Sequence, residues 1–375
     1  MTDAFNSVQP AASSHRNGDK PLAGVRVIEV EALGPVPWAC MLLADLGADV
    51  VRIDRPGADS APDTYGSVIR GRRRVMLDLK SKSGREAFLV LAERADVLVE
   101  GMRPGVMERL QLGPADVFAR NAHIVYGRMT GWGQHGPLAQ RAGHDINYIA
   151  LTGVLDAIGT SSKPALPLNL IGDFGGGGCF LLIGVLAALA KPKADRRDVV
   201  IDCAMVDGAS NLMALIYSRM NMGQWVPERE SNPLDGGVPW YDTYLTADGK
   251  RIAVGALEPK FYHNLISKLG LTDTIPDRAD RRNWTEIRRR LEECFLSRTR
   301  DEWEVFFDGI DACVTPVLNL SEAFRHEHLS SRGSVLQTES GGLMPAPAPI
   351  FGGERLSVAG DAKYVAYRDI EAGWL

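Results

Sequence analysis

The sequence predicts an α/β protein: a doubly wound parallel sheet followed by a smaller α+β domain. Three observations carry this. Short β-branched runs alternate with helical patterns through the first 200 residues, at a spacing suited to βαβ crossovers. A Pro/Gly-rich stretch, NPLDGGVPW at 232–240, marks a change of composition. The chain has 375 residues, and at ~150 residues per domain that is enough for two cores.

The elements follow in order. GVRVIEV (24–30) reads as a strand, ACMLLADL (39–46) as a helix closed by Gly47, and DVVRID (49–54) as the next strand, a βαβ unit with parallel neighbours. DVLVEG (96–101) and HIVYGRM (123–129) are further strands, each preceded by a helical stretch. A buried apolar helix over 179–190, a strand VVIDC (199–203) and a long helical segment 204–222 come next. Beyond the linker, YDTYLTADGKRIAVGA (241–256) reads as a hairpin about its ADGK turn. Helical patterns then occupy roughly 259–270, 283–297 and 301–308. The expected organisation is a loose polar tail (1–20), a large domain (21–205, completed by 330–375), a linking helix (206–227) and a small domain (228–325). A doubly wound sheet binds ligands beyond the carboxyl ends of its strands.

Composition excludes several classes. With 45% apolar and 24% charged residues the chain is neither disordered nor fibrous. A net charge of −5 argues against a nucleic-acid coat, while leaving room for a local anion pocket. Five scattered Cys without CxxC spacing read as reduced thiols of a cytoplasmic protein. The apolar run 179–190 is twelve residues, short of the ~20 that span a bilayer, so no membrane association is expected.

Asp54, at the end of the second strand, stands where a dinucleotide-binding domain has its ribose-binding acid. The loop EALGPVPWAC holds one glycine instead of G-x-G-x-x-G, which argues against a dehydrogenase. Arg70, Arg72, Arg73 and Arg74 crowd into five positions, with Lys80 beyond. Such clusters are commonly a solvated face; mutual repulsion and bidentate geometry also suit a phosphorylated ligand. His144, in QRAGHDINYIALTG, opens a helical pattern, a setting that favours its neutral form. Asp173, in NLIGDFGGGGCFLL, precedes a glycine-rich helix start whose N–H groups suit a developing oxyanion. Either residue can be a plain cap. Together, an imidazole and a carboxylate suit acid–base chemistry at carbon.

The segments PLAGVRVIEV, GPVPWACMLLADLGADVVRIDRPG, MTGWGQHGPLAQRAGHDINYIALTGVL, GDFGGGG, VIDCAMVDG and VGALEP together resemble the family III CoA-transferase (CaiB/BaiF) superfamily from about residue 21 to 350. Within it the chain is most similar to the α-methylacyl-CoA racemases. The resemblance implies a Rossmann-like large domain plus a small domain, in an interlocked homodimer. It implies 1,1-proton transfer at the α-carbon of a 2-methylacyl-CoA thioester, with no metal and no cofactor beyond the CoA of the substrate. By the same resemblance His144, Asp173 and Glu258 are catalytic. The CoA moiety falls to Arg55, Arg70, Leu77, Asp78, Leu79, Lys80, Gly101, Met102, Arg103, Arg109, Gly143, Asp145, Ile146, Asn147 and Tyr148. Met205, Met213, Met220 and Met222 suit a sliding acyl chain, or simply fill a core. KPKADRRDV lacks the Gly-Lys-Gly-Gln turn common in the superfamily, which touches only a local turn.

Two other readings compete. A CoA-transferase would use Asp173 as a nucleophile that forms an anhydride, with no need of a second proton shuttle at His144. A non-catalytic CoA-thioester sensor would keep the basic cluster without needing His144, Asp173 and Glu258 together.

Overall fold

The computed structural model describes residues 20–60, 66–338 and 340–374; the expected tail lies outside them apart from Lys20. The chain forms two compact units. The first runs to Thr152, resumes over Pro167–Leu212 and takes in the chain from Glu327; the second comprises Gly153–Leu166 and Met213–His326. Gly153–Leu166 therefore leaves the large domain in which the sequence reading put it. Its tie to the second unit is Arg229, which donates to Asp156 and to the carbonyl of Thr160.

In the first unit seven parallel strands form one sheet: β1 (Arg26–Val30), β2 (Asp49–Asp54), β3 (Arg72–Met76), β4 (Val97–Glu100), β5 (Val125–Thr130), β6 (Val199–Ala204) and a short edge strand at Lys363–Tyr364. Their order is the edge strand, then β3, β2, β1, β4, β5 and β6. The chain thus starts in the middle, builds outward to β3 and returns to the other side of β1, leaving a switch point between β1 and β4. Alternation within each strand divides the apolar residues between two faces. Val27, Val50, Val97 and Val99 pack under α1 (Pro35–Asp45) and α4 (Phe180–Leu189). Ile28, Val51, Ile53 and Leu98 pack under α2 (Lys82–Arg94) and under Ile370 and Trp374 of the C-terminal helix.

Charges interrupt the first of these faces. Glu29, Arg52 and Arg74 lie side by side in register on β1, β2 and β3. Glu29 accepts hydrogen bonds from Arg52 and from Arg72 Nε (2.9 Å); Asp54 accepts from Arg52 Nε (2.8 Å) and Arg74 Nε (2.7 Å). Arg72 also donates to the Pro37 carbonyl in the first turn of α1. The arginine cluster read as an anion pocket is thus largely spent on carboxylates: Arg70 is bidentate on Asp45 and Arg73 on Asp49.

Leu170–Cys179 is a π-helical run that continues directly into α4. The combined helix, Leu170–Leu189, has 20 residues and is long and apolar enough, by length and composition, to cross a membrane. The sequence reading saw only its second half and took it as buried; Leu181 and Val185 are buried, but Ile183 is 59% exposed. Its glycines serve close packing. A Cβ on Gly178 would strike the Trp38 ring, and one on Gly208, in α5 (Met205–Leu212), would strike the Gly176 carbonyl. The expected helix 204–222 breaks at Met213, which separates α5 from α6 (Ala214–Asn221).

The second unit has a three-stranded antiparallel sheet, with β8 (Arg251–Gly255) between β7 (Tyr241–Leu245) and β9 (Val314–Pro316). Its core gathers Tyr244, Ile252 and Val254 with Leu265 of α7 (Pro259–Lys268), Leu291 and Phe295 of α8 (Trp284–Phe295), and Trp303 of α9 (Arg300–Phe307). The hairpin about ADGK is the β7–β8 pair.

Two outcomes follow from this packing. Gly208→Ala is expected to cost about 3 kcal/mol through overpacking, read as a lowered denaturant midpoint. Glu29→Gln leaves two buried guanidiniums short of a counter-charge and is expected to cost about 3–5 kcal/mol in the same assay. A midpoint unchanged by either substitution contradicts the packing described.

Candidate active site

A cavity of about 870 Å³ opens at the carboxyl ends of β1, β2 and β3, beside the switch point. Its walls include Glu31, Ala32 and Leu33 from the β1–α1 loop, Asp54 and Arg55 after β2, Leu77–Lys80 after β3, and Met102, Val106 and Leu110 after β4. Six residues expected to meet CoA therefore line it: Arg55, Leu77, Asp78, Leu79, Lys80 and Met102. The Arg55 side chain is 76% exposed. Gly101 and Arg103 flank Met102, and Gly101 lets the β4 exit approach Ala32, where a Cβ would come within 2.9 Å of the alanine methyl.

Arg70 departs from expectation. It is 3% exposed with its guanidinium on Asp45, because β3 enters the sheet beside α1 and buries the base of the arginine cluster. Arg74 alone of the four reaches the cavity wall, under the ring of Tyr364 at 4.2 Å. Asp54, the position of a ribose-binding acid, is buried on Arg52 and Arg74.

The same β1–α1 loop leads to the second part of the site. Gly34, at φ +66°, is so close to Asp173 that a Cβ there would lie 3.1 Å from its Oδ2. Asp173 sits in the first turn of the π-helical run, whose N-cap is Asn169. It does not cap the helix, and the glycines after it lie inside the run, so their N–H groups belong to the helical ladder and are not a free oxyanion nest. Wide π-turns recur at functional positions, since they re-aim the side chains they carry. Asn169 Nδ2 donates to Asp173 Oδ2 (3.2 Å), and Phe174 stacks on Trp38 with centroids 5.2 Å apart.

His144 is the N-cap of α3 (Asp145–Leu151) and is exposed. Its N–H donates to Asn147 Oδ1 (3.0 Å) and its carbonyl accepts from the Asn147 N–H (2.8 Å). The Tyr148 hydroxyl donates to the Gly143 carbonyl (2.5 Å), and the Tyr148 ring meets Trp132 edge-on at 4.8 Å. Asp145 is buried, and its Oδ2 accepts the Asp173 backbone N–H at 2.7 Å. The segment Gly143–Tyr148 thus ties His144 to Asp173; Ile146 of the same turn is 43% exposed.

Burial raises the Asp173 carboxyl above the ordinary aspartate range; Asn169 opposes this, Asp145 adds to it, and the nearby His144 imidazole opposes it. Asp145, which the resemblance gives as a CoA contact, is buried here, with its Oδ2 on the Asp173 backbone. In the second unit Glu258 is the exposed N-cap of α7 and borders an open cleft of about 460 Å³ with Arg219, Gln224, Pro233 and Leu257. Met205 is buried in the first unit, whereas Met220 and Met222 are exposed on the second.

Comparison with known proteins converges on one family. The profile of CoA-transferase family III matches residues 22–359. The α-methylacyl-CoA racemase of Homo sapiens is 44% identical over 332 residues, covering 88% of this chain and 86% of that protein. The succinyl-CoA:glutarate CoA-transferase of Homo sapiens is 28% identical, covering 90% and 81%. Among solved structures, Rv3272 of Mycobacterium tuberculosis superposes with a TM-score of 0.77 at 27% identity, covering 92% of this chain and 97% of that one. A CAIB/BAIF family protein from Brucella suis, at 23% identity, shares the fold with a TM-score of 0.79 over 95% and 100%. By sequence profile, by relatives and by fold, the chain belongs to CoA-transferase family III.

Proposed function

We propose that the protein interconverts the two configurations of 2-methylacyl-CoA thioesters by proton transfer at the α-carbon. One observation supports this reading: Asp145, in the helix opened by His144, accepts the Asp173 backbone N–H, which brings the segments carrying an imidazole and a carboxylate together. The 44% identity to racemases of Homo sapiens and Mus musculus supports the same substrate class.

The chemistry follows from the groups present. A thioester carbonyl acidifies the hydrogen on the adjacent carbon. One of the pair takes that proton and leaves a planar enolate, its electron pair spread onto the thioester oxygen. The other returns a proton to the opposite face, and the roles exchange for the other enantiomer. Each positioned acid or base contributes about 10²–10⁴-fold. The CoA portion would occupy the cavity at the switch point, with the β1–α1 loop leading from it to Asp173.

The reading extends to an interlocked homodimer with Glu258 hydrogen-bonding near the histidine of a partner. The exposed apolar side chains Ile183, Leu212, Leu215, Tyr217 and Met222 are consistent with such burial against a second copy. A cytoplasmic location goes with it.

The test is incubation of a single-enantiomer 2-methylacyl-CoA in D₂O. Deuterium at C2 with loss of optical purity is the expected result. CoA transfer to an added carboxylate without exchange would instead make Asp173 a nucleophile. His144→Ala and Asp173→Asn should each lower exchange by about 100-fold or more while CoA still binds. The pH profile offers a further check. Asp173 must be ionised to take the proton, and its carboxyl is raised, so exchange in that direction should fall with decreasing pH above the ordinary aspartate range. An acid limb confined to the ordinary range counts against Asp173 as that base.

A further inference from the structure

We infer that Glu100, with Arg128 and Glu108, positions the loop 101–110 against the cavity and so sets the protein's grip on the CoA portion of its substrate. This rests on the reading that the cavity takes CoA.

Glu100 ends β4 with no exposed surface, in an otherwise apolar run. A carboxylate without access to water costs free energy unless its lone pairs are used. Both oxygens are used, and they point to different structures. Oε2 accepts the Met102 N–H at 2.5 Å, across the turn that leaves the strand. Oε1 accepts from Arg128 Nε at 3.0 Å on the neighbouring β5. Arg128, itself 7% exposed, spans on to Glu108, with Nη1 at 2.8 Å from Oε1 and Nη2 at 3.2 Å from Oε2. Glu108 lies in the short helix Val106–Arg109. One buried guanidinium on a rigid strand thus joins the start of the loop to its far end.

Between those two fastenings lie Met102 and Val106, which line the cavity, followed by Leu110. Arg103 lies between them and Arg109 just beyond, both basic. The loop carries Gly105 at φ +82°, a conformation with few alternatives for other residues. Its other fastenings are the Gln140 side chain on the Pro104 carbonyl (3.1 Å) and the buried Met107, neither of which fixes the turn at Met102. Burial pushes the Glu100 carboxyl up to about 7, against the bonds from Met102 and Arg128, so the ionised form is held at a cost to the fold. A charge kept under those terms is better explained by loop geometry than by stability.

The variant that separates the two is Glu100→Gln. An amide matches the carboxylate in shape, yet its oxygen can serve only one of the two donors, while its NH₂ faces the other. The measurements are the affinity of the full-length protein for CoA alone, by calorimetry, and the KM and kcat for α-deuterium exchange. For Glu100→Gln, Kd and KM should rise about tenfold, the effect of losing one charge-assisted hydrogen bond. The kcat should stay within about threefold; the melting temperature should fall, since the buried Arg128 then keeps only Glu108, so affinity and kinetics are read well below it. Glu108→Gln, at the half-exposed end, should raise Kd about threefold and reports on the same loop if the first variant does not fold. CoA affinity and KM unchanged in Glu100→Gln, or in Glu108→Gln if that is the variant that folds, overturn the proposal. A drop in kcat together with melting temperature, at constant Kd, also overturns it, since Glu100 would then be a stability element. If the unmodified protein fails to bind CoA, the reading of the cavity fails instead.

Discussion

A ladder of paired charges inside the sheet is the constraint on which the first unit depends. Three guanidiniums (Arg52, Arg72, Arg74) face two carboxylates (Glu29, Asp54) across three strands, on a face otherwise built from valines. Buried ion pairs of this kind add little net stability compared with apolar packing, but a misregistered strand would leave several of them unpaired at once. The ladder therefore specifies how β1, β2 and β3 align. Because Arg72 also reaches the Pro37 carbonyl, it settles where α1 begins. The loop between β1 and α1, which borders the cavity and approaches Asp173, hangs from both ends of that arrangement.

A second feature works with the first. The helix carrying Asp173 lies close to its neighbours because its glycines present no side chain to α1 and α5. Close approach brings the Asp173 backbone within reach of Asp145, while the π-helical turn sets the direction of the carboxylate. The glycines thus serve the site through packing, not by offering free N–H groups.

Much of this was legible in the residues. Period-two strands, Gly47 after α1 and the ADGK turn located the elements, because local chemistry decides them. The GHDINY and GDFGGGG segments singled out His144 and Asp173, and Asp145, next to His144, accepts the Asp173 backbone N–H. The arginine cluster misled for a physical reason: its partners Glu29, Asp45, Asp49 and Asp54 are 20 or more residues away, and a charge run shows its counter-charges only once strands pair. Acids at positions 29 and 54, in otherwise apolar strands, were the visible hint. The π-turn was illegible because an i→i+5 ladder has no residue signature distinct from an α-helix. The departure of Gly153–Leu166 from the large domain depends on Arg229, some 70 residues on.

The short loop from Glu31 to Gly34 has one more consequence. It lines the cavity at its start and ends at Gly34, where an added Cβ would come within 3.1 Å of the Asp173 carboxylate, all within four residues. Such a segment works as a ruler. For the proposed reaction, the span between the carrier's handle and the reacting carbon is set by covalent geometry that no acyl group can stretch. Diversity in cargo must then be absorbed on the far side of the aspartate. Selection for new acyl chains can rework that side freely without disturbing how the carrier is held.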